Sequence, residues 1–266
     1  MDLSQTPILV FDTETTGLDT QEDRVVEVGA CYFLNGERLG HGRAMRVNPG
    51  IEIPEGASAV HGIYNSDVES CPDFGTIAPR LVAHFQGEES NGESLVLAGY
   101  NAVKYDTPIL NAEFRRHGID FQIDSSRVLD PLIFLQWHHR DWGRHKLELM
   151  AQRFGIPLVN AHSASADAKA TGSLLHELIK RGTIPATVEN AFEAQALHIT
   201  ALDAEYEEFG RMLYRDRESG ALHLGFGKHS GVPLERADPG YLRWCLENMQ
   251  NIPAAAVQAF SERAGT

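Results

Sequence analysis

Several large protein classes are excluded by what this chain has little of. Its 266 residues include three cysteines, Cys31, Cys71 and Cys245, odd in number and far apart. That pattern excludes a disulfide framework and zinc-knuckle spacing, and makes a reducing cytoplasm the expected setting. No apolar run is long enough to cross a bilayer. The opening MDLSQTPILVF lacks the basic stretch and the long apolar segment of a signal peptide. Basic residues are scarce: 23 Lys and Arg stand against 37 Asp and Glu, a net charge of -14. So acidic a chain is ill suited to coat duplex DNA without regard to sequence, a mode that draws on many Lys and Arg contacts to phosphate.

At 42% hydrophobic composition the chain can bury one full core and leave a small second unit. The expected division is a main domain over residues 1–181, an acidic helical connector over 182–214 and a small C-terminal α+β module over 215–266. Only the tail beyond Val257 reads as dispensable. Pro7 to Glu14, Val25 to Leu34 and Gly40 to Val47 are strand-like, and Asn35-Gly36 is a hairpin signal between the last two. Three consecutive strands of this kind predict an antiparallel meander. Helical periodicity follows between Glu55 and Gln86, with Asp73 as a cap and Pro79 inside the pattern. Leu95 to Gly99 and Arg127 to Leu132 read as short strands. Thr107 to Arg116, Leu147 to Phe154 and Asp167 to Lys180 read as helices. This order predicts an α/β fold with a mixed sheet covered by helices. Near the C-terminus, LHLGFGKHSGVPL reads as two short strands around a glycine-rich turn. Asp238-Pro239 is a cap and first-position pair for the helix that follows.

Four acids and one imidazole carry the chemistry. Asp12 and Glu14 lie two apart at the polar end of an apolar strand, so both side chains leave the same face and can share a metal ion. His162 and Asp167 lie five apart, which on one helix would turn them about 140° from each other. His162 is therefore expected on a loop, with Asp167 in the first turn behind it. Asp106 in YNAVKYDTP completes the group. Carboxylates with an imidazole are what a protein needs to hold divalent metal beside a phosphodiester and deprotonate a water. Other constellations fail: His138, His139 and His145 in WHHRDWGRH have no metal-ligand spacing and read as scattered surface histidines. GFGKH lacks the Ser or Thr and the upstream glycine of a phosphate loop, and neither G-x-S-x-G nor H-E-x-x-H occurs.

These stretches resemble the DEDDh family of 3′-to-5′ exonucleases. FDTETTGL spans Phe11 to Leu18. Asn101, Tyr105 and Asp106 fit the second motif, with Tyr105 where Phe is commoner, and His162, Ala164, Asp167 and Ala168 fit H-x-A-x-x-D-A. The likeness runs from about Pro7 to Lys180 and takes in VVEVGA, AVHGI and HKLELMAQRFGI. It implies an RNase H-like mixed five-stranded sheet flanked by helices, and two Mg²⁺ or Mn²⁺ ions held by Asp12, Glu14, Asp106 and Asp167. It further implies His162 as general base and release of nucleoside 5′-monophosphates from a nucleic acid 3′ end, DNA before RNA. Thr15, Leu18, His61, Ile63 and Asn101 fall where relatives cradle the last nucleotide, although core packing is an equal expectation for Ile63. Lys104, Arg115 and Arg116 could touch the strand or be solvated. The alternatives are an exoribonuclease of the same fold, a polymerase proofreading subunit, and, from another class, a non-catalytic adaptor that binds nucleic acid, replication or repair partners.

The C-terminal FGKHSG followed by PGYLRW is similar to a small module attached to some exonuclease X-like proteins. Lys228, His229 and Arg243, with exposed aromatics, could form an accessory strand contact. Alternatively, Tyr241, Leu242 and Trp244 could be the core of a tiny domain.

Overall fold

The computed structural model describes residues 1–87, 95–159 and 161–266. Strands β1 (Ile8–Thr15), β2 (Val25–Leu34) and β3 (Glu37–Arg46) are antiparallel neighbours, as expected. The two-residue turn between β2 and β3 holds Asn35 and Gly36 at φ 54° and 75°, the left-handed geometry that Asn-Gly tolerates. Helices α1 (Glu55–His61), α2 (Asn65–Val68) and α3 (Phe74–Phe85) follow. α3 continues through Pro79, which lies on its exposed face, while Phe74, Ile77, Ala78, Leu81 and Phe85 turn inward. Asp73 caps it by accepting the Thr76 amide at 2.8 Å.

β4 (Val96–Ala98) then pairs parallel to β1, helix α4 (Asp106–Arg116) follows, and β5 (Val128–Leu129) pairs parallel to β4. The sheet order is β3-β2-β1-β4-β5, the mixed five-stranded sheet expected. The last strand is shorter than its apolar run suggested. Asp130 accepts the Leu132 amide at 3.0 Å and Pro131 opens helix α5 (Pro131–His138), so Leu132 is helical. Helices α6 (Leu147–Arg153), α7 (Ala164–Lys180) and α8 (Val188–Phe209) follow. On one face of the sheet, Leu9, Phe11, Val25 and Val28 pack with Phe74, Ile109, Leu110 and Phe114 in the main core. α7 lies across β1 and β2.

The chain forms two compact units, Met1–Leu132 with Lys146–Gln195, and Ile133–His145 with Ala196–Thr266. The acidic stretch expected as a connector is largely α8, whose residues up to Gln195 belong to the first unit and the rest to the second. In the second unit, β6 (Leu213–Arg215) pairs antiparallel with β7 (Leu222–Leu224), and α9 (Pro239–Asn248) and α10 (Ala254–Ala264) follow. Two expectations change here. The hairpin partner of LHL lies upstream, and GFGKHSG forms a 3-10 turn over Gly227–His229. The segment after that turn returns to β7 without forming a strand, through the Leu224 amide to the Val232 carbonyl at 2.9 Å, the Gly231 amide to the Leu224 carbonyl at 2.8 Å and a bridge between His223 and Pro233. The tail beyond Val257 is structural: Phe260 is fully buried with Leu224, Leu242 and Cys245.

Histidines of WHHRDWGRH join an aromatic stack in the same unit and are not simply scattered. Arg217 covers Trp137 at 3.8 Å, Trp137 stacks on His198 at 4.7 Å, and His139 stacks on Trp142 at 3.7 Å. Glu205 is buried between Arg140 and Arg217. Among the described residues, no helix is long and apolar enough to cross a membrane.

Candidate active site

β1 brings Asp12 and Glu14 to one face, and α7 brings Asp167 to the same place. One carboxylate oxygen from each lies within 4.8 Å of the other two. A missing side chain makes this approach possible. Gly29 pairs with Asp12 across β1 and β2, and a Cβ at position 29 would run into the Ala164 carbonyl at the start of α7. Glu27, opposite Glu14, anchors the same helix end: its Oε2 accepts the Ala164 amide at 3.1 Å, and Arg46 lies 3.5 Å from its other oxygen. An acid inside the apolar run VVEVGA is itself a signal, because a buried carboxylate needs donors.

His162 stands outside α7 in left-handed backbone geometry, φ 67°, and Asp167 lies in the helix's first turn. The His162 amide donates to Asp167 Oδ2 at 3.1 Å. Asp167 Oδ1 is buried without a hydrogen-bond partner. The imidazole Nε2 meets Glu148 Oε1 of α6 at 3.1 Å, a neighbour that sequence spacing could not reveal. Asp106, the first residue of α4 and 3% exposed, stands outside the trio of oxygens. Its Oδ1 accepts the Thr13 hydroxyl at 2.6 Å; Thr13, between Asp12 and Glu14, leaves the opposite face of the strand.

All four carboxylates resist ionisation. Burial, then the Asp106 and Asp167 charges, hold Asp12 well above the usual carboxylate range. Burial and Asp167 push Glu14 up to about 8. Burial brings Asp106 to about 6 against the pull of the Thr13 hydroxyl. It brings Asp167 to about 6 against the His162 amide. The ligand atoms are all oxygen, one of them is orphaned, and the charges repel. That combination fits a hard divalent cation, which would convert mutual repulsion into coordination.

The loop after β1 exposes Leu18 to 88% of its surface. It is held from both sides. The Tyr105 hydroxyl donates to the Gly17 carbonyl at 2.6 Å and lies 2.5 Å from the Thr15 hydroxyl. Asp23 accepts the Thr16 hydroxyl and the Asp19 amide, each at 2.8 Å. His61 Nδ1 accepts the Ile63 amide at 3.1 Å, so its Nε2 carries the proton and donates to the Thr15 carbonyl at 3.2 Å. Ile63 is 3% exposed in a satellite core with Val26, Ile53 and Val68. Asn101, exposed at φ 63°, sits on a turn held by its amide's bond to buried Asp130 at 3.0 Å. Lys104 is exposed, while Arg115 and Arg116 both donate to Gln21 of the Leu18 loop. In the second unit, Lys228 and His229 lie in the 3-10 turn, and Arg243 donates to the Ala264 carbonyl at 2.9 Å.

The exonuclease family profile RNase_T matches residues 9–175, a span that contains the whole carboxylate group and His162. A DNA polymerase III of PolC type from Streptococcus pneumoniae serotype 2 is 32% identical over 180 residues, 68% of this chain and 12% of the polymerase. The chain thus spans a small part of the curated relatives it matches. Two solved structures share the fold. Exonuclease X in complex with 5′ overhanging duplex DNA has a TM-score of 0.51 at 18% identity, over 71% of this chain and 99% of the other. The nuclease domain of 3′hExo, a DEDDh family member bound to rAMP, has a TM-score of 0.57 at 14% identity, over 69% and 96%. With its motifs gathered at one site on a mixed RNase H-like sheet, the chain belongs to the RNase_T exonuclease family.

Proposed function

We propose that this protein is a metal-dependent 3′-to-5′ exonuclease that removes nucleoside 5′-monophosphates from DNA 3′ ends. One observation carries the proposal: three carboxylates converge within 4.8 Å, one of them with a buried bare oxygen, on the helix whose preceding loop bears His162. Asp12, Glu14 and Asp167 would hold a first ion and Asp12 with Asp106 would support a second, Mg²⁺ or Mn²⁺ being suited to all-oxygen ligands. When bound, such ions lower the pKa of water and stabilise charge on phosphate oxygens. His162 accepts the proton of the attacking water as its oxygen bonds to phosphorus, the terminal P–O3′ bond breaks, and the departing O3′ takes a proton from solvent, so that the shortened strand leaves with a free 3′ hydroxyl. Leu18 supports the last base, the backbone at Thr15 receives the 3′ hydroxyl, His61 holds that backbone in place, and Asn101 meets the strand. Ile63 contributes by packing under His61's segment. Three unpaired cysteines suit a cytoplasmic setting.

Exonuclease X with its bound duplex DNA and the DNA polymerase relative support DNA as the substrate, and 3′hExo bound to rAMP supports the RNA alternative. The 32% identity to a PolC-type polymerase favours proofreading beside a replicase as the second reading. A degradation panel of single- and double-stranded DNA and RNA, labelled at the 3′ end and supplied with Mg²⁺ or Mn²⁺, tests both. Mononucleotide should appear from DNA and be lost in Asp12→Ala, Asp167→Ala and His162→Ala. Full activity in Asp12→Ala would overturn the assignment of the carboxylate site, and no release by the wild type would favour an adaptor.

A further inference from the structure

The C-terminal module has the composition of a small globule whose aromatics belong inside, yet its exposed tryptophan is outside. Leu242 and Cys245 of α9 are fully buried in the module's core. Trp244, between them in sequence, is 53% exposed. Its ring lies nearly parallel to Tyr241, at 14° and 6.3 Å between centroids, one turn back on the same helix. Tyr241 in turn stacks on Phe226 at 6.3 Å and meets the His229 ring at 4.3 Å. Phe226 and Tyr241 lean on the core, which fixes the ladder of rings and leaves Trp244 as its open end. Exposed Lys228 adjoins His229 in the 3-10 turn.

Charge is nearly balanced from Arg211 to Thr266, with seven Lys and Arg against six Asp and Glu in a chain of net charge -14, and Lys228 is the cation beside the rings. A fixed aromatic ladder ending in an exposed indole, with ammonium and imidazole groups beside it, is suited to stack bases and neutralise phosphate along one strand. An acidic peptide would use the cations but not the row of ring faces.

We propose that Trp244, Tyr241, His229 and Lys228 form a second, sequence-tolerant binding site for single-stranded nucleic acid, separate from the carboxylate site. It rests on the reading of this chain as an enzyme of nucleic acid, and it does not require the catalytic assignments. With chelator present no metal can bridge the carboxylate cluster to phosphate, so binding measured there reports this surface.

The test uses the full chain in EDTA with fluorescein-labelled dT20 and U20, followed by anisotropy over a range of salt. Trp244→Ala should weaken binding roughly tenfold, and Trp244→Phe should restore most of it, because a phenyl ring still stacks. Lys228→Ala should flatten the dependence of log Kd on log salt by about 0.7, the effect of one phosphate contact on a single strand. Tyr206→Ala removes an exposed aromatic flanked by Glu205, Glu207 and Glu208 and should bind like the wild type. Wild-type affinity and salt slope in both Trp244→Ala and Lys228→Ala would overturn the proposal and assign the patch to protein contact. Mononucleotide release by the wild type with Mg²⁺ is scored separately. Patch-dependent binding without release would sink the exonuclease reading and keep the patch, and release with patch-independent binding would do the reverse.

Discussion

Glu148 and His162 meet at 3.1 Å, carboxylate to imidazole Nε2, from different segments of the first unit. His162 is on a loop, held in the backbone by Asp167 and in the ring by Glu148. The carboxylate orients the imidazole as a second group orients a general base in other hydrolases. Glu148→Ala should therefore lower kcat about 10-fold or more with KM little changed. Glu148→Gln, which keeps an oxygen acceptor, should lose less. Steady-state kinetics on a 3′-labelled oligonucleotide checks this, and an unchanged kcat in Glu148→Ala would remove Glu148 from the mechanism.

Glu14 makes the metal-free protein less stable as pH rises. Its pKa stands at about 8 in the fold against an ordinary value of 4.5, so between those values the folded state holds a proton that the unfolded state has released. Stability is then highest below about pH 4.5 with respect to this group and falls towards pH 8. Glu14→Gln removes the penalty. In EDTA at pH 8 it should raise stability by about 1–3 kcal/mol, discounted from the full shift for charge coupling within the cluster, while abolishing nuclease activity. Thermal melts at pH 5 and pH 8 would show the gain only at the higher value; a gain equal at both would refute the electrostatic cause.

Tyr105→Phe deletes the hydroxyl that ties Gly17 and Thr15 to the start of α4. The expected cost is about 1 kcal/mol in stability. KM for a DNA 3′ end should rise more than kcat falls, since the loop carrying Leu18 loosens while the carboxylates stay in place. Melting temperature and the two kinetic constants measured together separate these effects.

Truncation after Val257 removes Phe260 and Ala264 from the core of the second unit. The loss of one fully buried Phe alone is worth about 3–5 kcal/mol, enough to unfold a unit of this size. Limited proteolysis should cut the truncated protein within residues 211–257 and spare the intact one; equal resistance would show that α10 is dispensable after all.

Much of the sheet was legible because local signals agree: apolar alternation, Asn35-Gly36 at the hairpin, Asp73 at a helix start. The errors have physical causes. Asp130-Pro131 is the same cap-and-proline pair as Asp238-Pro239, but the apolar run around it masks the signal and makes β5 look longer than it is. Hairpins are local, which points LHL to the segment after it, whereas its strand partner lies across the turn before it. Position 257 marks no change in burial, since the small residues of α10 hide an apolar face that only Phe260 announces. At the site, the displacement of His162 from α7 followed from helix geometry. Its contact with Glu148 could not, because nothing in a sequence spacing of 14 residues between two helices places those side chains together.

Gly29 carries no reactive group, yet the distance between Asp12 and Asp167 depends on the hydrogen it has in place of a side chain. A chain with the same four acids and histidine and an alanine at 29 would match every acid-and-histidine motif and hold its carboxylates too far apart to share an ion. Sorting working nucleases from silent copies by their motifs alone would misfile such a protein. The letter to inspect first is the one the chemistry never mentions.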